Sequence, residues 1–194
     1  MKELAEFFFM AAMLRRTPRS GLQFLGSGRE SVAEHVFQTM IAAYALAKME
    51  QDKGVVCDEK RLLQLCLLHD LLEARTGDLN YVNKKYVAVD EEKALADMCR
   101  PLFFGQEMTA LVKEFEQKAS FEARLAADAD QLALMVLVKE QHDLGNPYAK
   151  KWLTVARQRL LTESGRALAQ GVAESDWASW WFSKDSNAWW VNGK

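Results

Sequence analysis

The chain is poor in cysteine, proline, glycine and histidine: its 194 residues include 3 Cys, 3 Pro, 10 Gly and 3 His. Cys57, Cys66 and Cys99 stand far apart and form no C-x-x-C pair, which excludes a disulfide scaffold and fits reduced thiols in the cytoplasm. With few helix breakers and no sustained apolar/polar alternation, a sheet-rich fold is excluded as well. Charge of one sign is also lacking. A formal net charge of -2 leaves no positive field to recruit a nucleic-acid backbone, so no nucleic-acid partner is expected. No apolar run reaches the ~18 uncharged residues that a membrane span needs. The opening MKELAEFFFMAAMLRR places Glu3 and Glu6 where a signal peptide would carry none, and it reads as an amphipathic first helix of a soluble protein.

What is abundant is Ala, Leu, Glu and Lys in long runs, so the expected fold is all-α. A chain of this length suits one domain spanning 1–194 that buries roughly 70% of its unfolded surface. Helices are expected over about 2–16, from Ser31 to about Lys53, from Asp58 to Arg75, and over about 90–104, 106–119, 120–144 and 148–171. Ser31-Val32-Ala33-Glu34 is a capping-box signature, in which a hydroxyl and a carboxylate each satisfy a backbone donor of the first turn. Val32, Val36, Met40, Ala43 and Ala47 then recur at three- and four-residue steps, with His35 at the border of that face. Gly77 suits a left-handed cap at the end of the central helix. Five of the six tryptophans lie in the tail from Asp176.

The central segment Leu62-Leu63-Gln64-Leu65-Cys66-Leu67-Leu68-His69-Asp70-Leu71-Leu72-Glu73 is apolar around its whole circumference, apart from its ionisable residues. A carboxylate removed from water without a partner costs several kcal/mol or more, so buried charges are normally paired or bound to metal. Imidazole and carboxylate together suit a borderline-to-hard divalent ion. His69 and Asp70 are neighbours in sequence, and Glu73 follows one helical turn later, where it could manage a proton. His35 lies on an earlier helix. Asp128 and Asp130 lie on a later one, where positions two apart point to nearly opposite sides, and periodicity alone does not choose between them.

These residues resemble the HD-domain metal-dependent phosphohydrolases, with a His, a His-Asp pair and a distant Asp. The 5'-deoxynucleotidase branch is the nearest in pattern: LRRTPRSG, ESVAEH, LLHDLLEARTGDL and FEARLAADADQL, over roughly residues 14–145, followed by a C-terminal helix and Trp-rich tail over 148–194. The resemblance implies a single HD-domain helical bundle that holds one divalent ion (Co, Mn, Zn, Ni, Mg or Fe) through His35, His69, Asp70 and Asp130. The family's Ala-Asp-x-Leu pattern selects Asp130, with Glu73 as acid/base residue. It implies that Arg19, with Ser20 beside it, orients the phosphate, and that Asp78 touches the sugar or the attacking water. Leu79, Asn80 and Tyr81 continue that loop, and Asn80-Tyr81 departs from the proline-containing sequence common there. The implied reaction releases nucleoside and phosphate from a nucleoside 5'-monophosphate, chiefly a deoxyribonucleotide. Two alternatives stand beside it: hydrolysis of another phosphorylated small molecule, such as a nucleoside triphosphate or guanosine tetraphosphate, and a non-catalytic regulatory module. A homodimer is the expected assembly.

Other features have plainer explanations. Arg15, Arg16 and Arg29 read as solvated surface charge, and His142-Asp143 as a polar helix end. The tail residues Trp177, Trp180, Trp181, Trp189 and Trp190 read as packing rather than as nucleobase contacts.

Overall fold

The computed structural model describes residues 1–182 and 187–193. Chain order runs α1 (Lys2–Ala11), α2 (Leu22–Leu25), α3 (Val32–Asp52), α4 (Glu59–Leu68), α5 (Glu73–Thr76), α6 (Glu91–Cys99), α7 (Gly105–Gln117), α8 (Phe121–Asp143), α9 (Ala149–Gln158), α10 (Glu163–Glu174) and α11 (Asn187–Asn192). Short 3-10 turns follow α1 at Ala12–Arg15 and precede α6 at Asn83–Lys85. The all-α expectation holds among the described residues, where the sole strand-like feature is an antiparallel bridge between Pro18 and Ser31. None of the described helices is long and apolar enough to cross a membrane.

Local chemistry starts the long elements. The capping box at α3 is complete: Glu34 N donates to Ser31 Oγ, and Ser31 N donates to the Glu34 carboxylate. Asp58, Asp90, Ser120 and Thr162 cap α4, α6, α8 and α10 by accepting from a backbone N–H three residues on.

The two longest helices, α3 and α8, pack on each other and form the centre of the bundle, with α4 against both and α9 and α10 along α8. Leu46, Leu62, Leu65, Leu125, Leu132 and Met135 fill the space between them, all essentially inaccessible to water. Each such side chain contributes about 1.5–3 kcal/mol through removal from water. A second apolar cluster, including Leu14, Val36, Leu72 and Met98, seats α1, α6 and α7.

Two expected helices are divided in the structure. The segment expected as helix from Asp58 to Arg75 stops at Leu68 and resumes as the single turn α5. In an unbroken helix the Asp70 N–H would bond to the Cys66 carbonyl, but the His69 imidazole takes that carbonyl through Nδ1 at 2.7 Å. Downstream bonds tighten to three-residue steps: Leu71 N to Leu68 O, Glu73 N to Asp70 O and Ala74 N to Leu71 O. The segment expected over 148–171 is two helices, α9 and α10, separated at 159–162, where Asp128 captures the backbone. The basic loop before α3 also holds the short α2, closed by Gly26 in the left-handed conformation.

Gly77 does not adopt the expected left-handed helical cap. Its φ of 72° is positive as required, but its ψ of 160° places it in an extended region open essentially to glycine alone. The turn sends the chain back across the start of α2, so Asp78 meets Ser20.

Candidate metal centre

Elements distant in sequence supply the site. His35 comes from the first turns of α3, His69 and Asp70 from the break after α4, and Asp130 from α8. His35 Nε2 is 2.9 Å from Asp130 Oδ1 and 3.7 Å from Asp70 Oδ2. His69 Nε2 is 3.2 Å from Asp70 Oδ2 and 4.0 Å from Asp130 Oδ1. His35, His69 and Asp130 each present a ligand atom, all within 4.8 Å of one another, and Asp70 adjoins them. Ligand atoms about 2.0–2.3 Å from a common ion lie about 3–4 Å apart across it, which matches these separations.

The hydrogen bonding of His69 explains why a cation suits this point. With Nδ1 donating to Cys66, Nε2 is left as an acceptor, and it is buried without a hydrogen-bond partner while facing two carboxylates. No donor reaches Nε2 itself. With no ion bound, a proton must fill the role: burial works against charge on His69, but Asp70 and Asp130 push it up to about 9. Burial opposes ionisation of Asp130 too, yet His35 and His69 hold its carboxyl well below the usual range. Asp70 is likewise lowered, with His69 and Arg19 overcoming the penalty of burial. A divalent ion would replace that proton and meet the same carboxylates.

Asp128 and Asp130 separate cleanly. Asp130 faces the histidines, and its Oδ2 accepts from Gln131 Nε2 at 2.9 Å. Asp128 is fully buried on the other side of α8, accepting from Leu161 N at 2.7 Å, Thr162 N at 2.8 Å and Thr162 Oγ1 at 2.6 Å. It approaches α10 so closely that a Cβ on Gly165 would come within 2.2 Å of its Oδ2.

Arg19 Nη1 donates to Asp70 Oδ2 at 3.2 Å, and Arg19 Nε lies 3.9 Å from Asp78 Oδ2. Ser20 N donates to Asp78 Oδ2 at 2.8 Å, and Ser20 Oγ accepts from Asn80 N at 3.1 Å, tying the loop after α5 to the loop before α2. Glu73 turns a buried, unpartnered Oε2 inward. Burial and the nearby Asp70 and Asp78 carboxylates push Glu73 up to about 8. Beyond Arg19 opens a cavity of about 490 Å³ lined in part by Asp78, Asn80 and Tyr81. Leu79 is absent from its lining, and the Asn80 amide is engaged with Ser20, Asn83 and the backbone of its own turn.

Sequence reasoning missed Glu30. Its Oε2 is buried without a hydrogen-bond partner, 3.8 Å from His35 Nδ1 and 4.0 Å from Arg19 Nε. Placed immediately before the α3 N-cap, Glu30 reaches Arg19 because Arg19 N donates to the Glu30 carbonyl beside the Pro18–Ser31 bridge. Its acidic character next to the capping box was the available signal, but the pairing of residues 17–19 with 30–32 is not written in any local pattern.

The remaining candidates stay outside the centre. His142 is exposed, with Nδ1 3.2 Å from Asp143 Oδ1. Arg15, Arg16 and Arg29 are exposed. In the tail, Trp181 packs edgewise on Trp177 and Trp190, with centroids 6.3 Å and 5.7 Å away, and none of the described tail tryptophans lines the cavity. Trp189 lies outside the residues whose side chains are described.

Comparison with known proteins agrees with this geometry. A sequence profile for the HD domain matches residues 11–171. The chain is 29% identical over 154 residues to the 5'-deoxynucleotidase HDDC2 of Danio rerio, covering 76% of this chain and 74% of that protein. It is 30% identical over 141 residues to the 5'-deoxynucleotidase VV1113 of Vibrio vulnificus, covering 65% and 71%. Among solved structures, a conserved hypothetical protein from Pyrococcus furiosus superposes with a TM-score of 0.76 at 26% identity, covering 88% of this chain and 99% of that one. A profile match spanning most of the chain, over a bundle that brings its distant histidines and aspartates to one point, establishes that the chain belongs to the HD domain family.

Proposed function

We propose that the protein is a metal-dependent phosphohydrolase that cleaves nucleoside 5'-monophosphates, chiefly deoxyribonucleotides, to nucleoside and inorganic phosphate. One observation carries the reading: the buried acceptor Nε2 of His69 meets two carboxylates, and one of them, Asp70, accepts from Arg19 on the lining of the adjoining cavity. The relatives named as 5'-deoxynucleotidases support the choice of substrate.

His35, His69, Asp70 and Asp130 would hold one divalent ion, which supplies Lewis-acid polarisation of the phosphoryl group and a nucleophilic water at neutral pH. Arg19 presents its planar fork to the phosphoryl oxygens and balances their charge, exchanging its bond to Asp70 for the substrate. Glu73 carries the proton. Its carboxyl, held near neutrality by burial and neighbouring carboxylates, can release a proton to the departing 5'-oxygen and recover one from solvent. Asp78 fixes the Ser20 backbone and so the approach of Arg19.

A panel of deoxy- and ribonucleoside 5'-monophosphates, assayed for released phosphate with each of several divalent ions, tests the proposal. Release from at least one monophosphate is expected, with activity lost on chelation and restored by re-addition of the ion. Turnover that survives exhaustive chelation, or activity confined to polyphosphates, would sink it.

We propose further that the protein acts in the cytoplasm as a homodimer. Cys57, Cys66 and Cys99 are all free thiols. Along α3, Phe37, Ile41 and Tyr44 are 61%, 53% and 50% exposed at helical spacing, a stripe that a second copy would cover. Light scattering should give twice the 22.1 kDa chain mass, and a monomer at micromolar concentration rejects the dimer.

A further inference from the structure

The cavity beside the metal centre has a mixed lining. Arg19 and Asp78, with Lys151 of α9 and Arg159 at its end, are among its charged residues, while Trp152 and Val155 of α9 and Leu134 and Leu137 of α8 give it an apolar wall. Trp152 is half-buried, and its Cη2 lies 3.6 Å from where a Cβ would stand on Gly21. The bare glycine lets the edge of the indole lean on the very loop that carries Arg19. Gly21 lies two positions after Arg19, a chain span of at most ~7 Å. That is the scale on which one pentose separates a 5'-phosphate from its base.

We propose that Trp152 is the platform on which the nucleobase of the substrate stacks, while Arg19, on the lining of the same cavity, takes the phosphate. The proposal rests on the nucleotide reading above. Every base has a π-face, so an indole captures bases without choosing strongly among them. The other aromatic residue on the cavity lining, Tyr81, tilts against Phe24 with ring centroids 6.2 Å apart and stands on a loop. Trp152 stands on a helix, anchored in a cluster with Leu22, Leu25, Val138 and Ala149. Its side chain is therefore presented rigidly, with little ordering left to do on binding.

Comparison of a deoxynucleoside 5'-monophosphate with deoxyribose 5-phosphate, which has the same sugar and phosphate but no base, tests the platform. The readout is the ratio of the two kcat/KM values, taken for the native chain, Trp152→Leu and Trp152→Phe. Trp152→Leu keeps apolar bulk without a π-face, and the ratio should fall about tenfold or more. Trp152→Phe should retain it to within about threefold. If Trp152→Leu lowers both substrates together and leaves the ratio fixed, the indole only supports the Arg19 loop and the platform is overturned. Should the native protein release phosphate from neither compound, the functional reading fails. The platform is then decided separately by calorimetric titration with the same two compounds: base-bearing ligand bound tenfold tighter, with Trp152→Leu erasing the difference, upholds it, and equal affinities overturn it.

Discussion

Asp130→Ala should yield a folded chain that no longer retains a divalent ion, and Asp128→Ala should do the reverse. Asp128 accepts three hydrogen bonds in a fully buried position, two from backbone N–H groups of the α9–α10 connection and one from Thr162 Oγ1. Truncating it leaves buried donors without partners and opens space beside Gly165, a loss of about 3–5 kcal/mol. In a chain of this size that corresponds to about 10 °C in Tm. Asp130 is a quarter exposed, and its own partners are the groups proposed to hold the ion, so its removal should cost less than half as much stability. Bound metal per chain, measured beside thermal melts in chelator, separates the two. Loss of the ion from a still-stable Asp128→Ala chain would show that the wrong aspartate has been assigned.

Turnover should fall by about 10²-fold or more in Glu73→Gln while metal content and nucleotide affinity stay near native values. The substitution preserves shape and replaces a carboxyl that burial, Asp70 and Asp78 already hold mostly protonated at neutral pH, so stability should not drop. Asp70→Ala makes the contrast, since it should lose the ion as well as the activity. Single-turnover hydrolysis alongside metal analysis reads both effects. Near-native turnover in Glu73→Gln would remove this residue from proton transfer and leave Asp78 as the group that positions water.

The sequence made the helices legible wherever a cap and a periodic apolar face coincide. Ser31 and Glu34 announced α3, its buried face followed the predicted steps, and His35 fell on it. The His69-Asp70 pair was legible as an energetic anomaly, two ionisable groups in a segment with nowhere polar to point. The break at that pair was not, because the apolar pattern continues through it and the bond that competes with the helix comes from the His69 ring to Cys66. The division between α9 and α10 escaped for the same reason: the group that stops the helix is Asp128, more than thirty residues away in the chain. Periodicity reports which face of an element is apolar, and says nothing of which distant side chain will claim its backbone. Trp152 and Glu30 lay beyond it too, since each matters through contact with the segment from Arg19 to Gly21.

The two aspartates of α8 also constrain how that helix can move. Asp128 is held on one side by the backbone at Leu161 and Thr162, while Asp130 meets His35 on the other. Rotation of α8 about its own axis would have to break one grip or the other. A side-chain atom about 5–6 Å from the axis travels roughly 1 Å for a turn of about 10°, and displacement on that scale is enough to spoil a coordination site or slow a reaction. The α10 junction therefore works as a rotational stop, setting the angular position of a carboxylate on the far side of the helix from it.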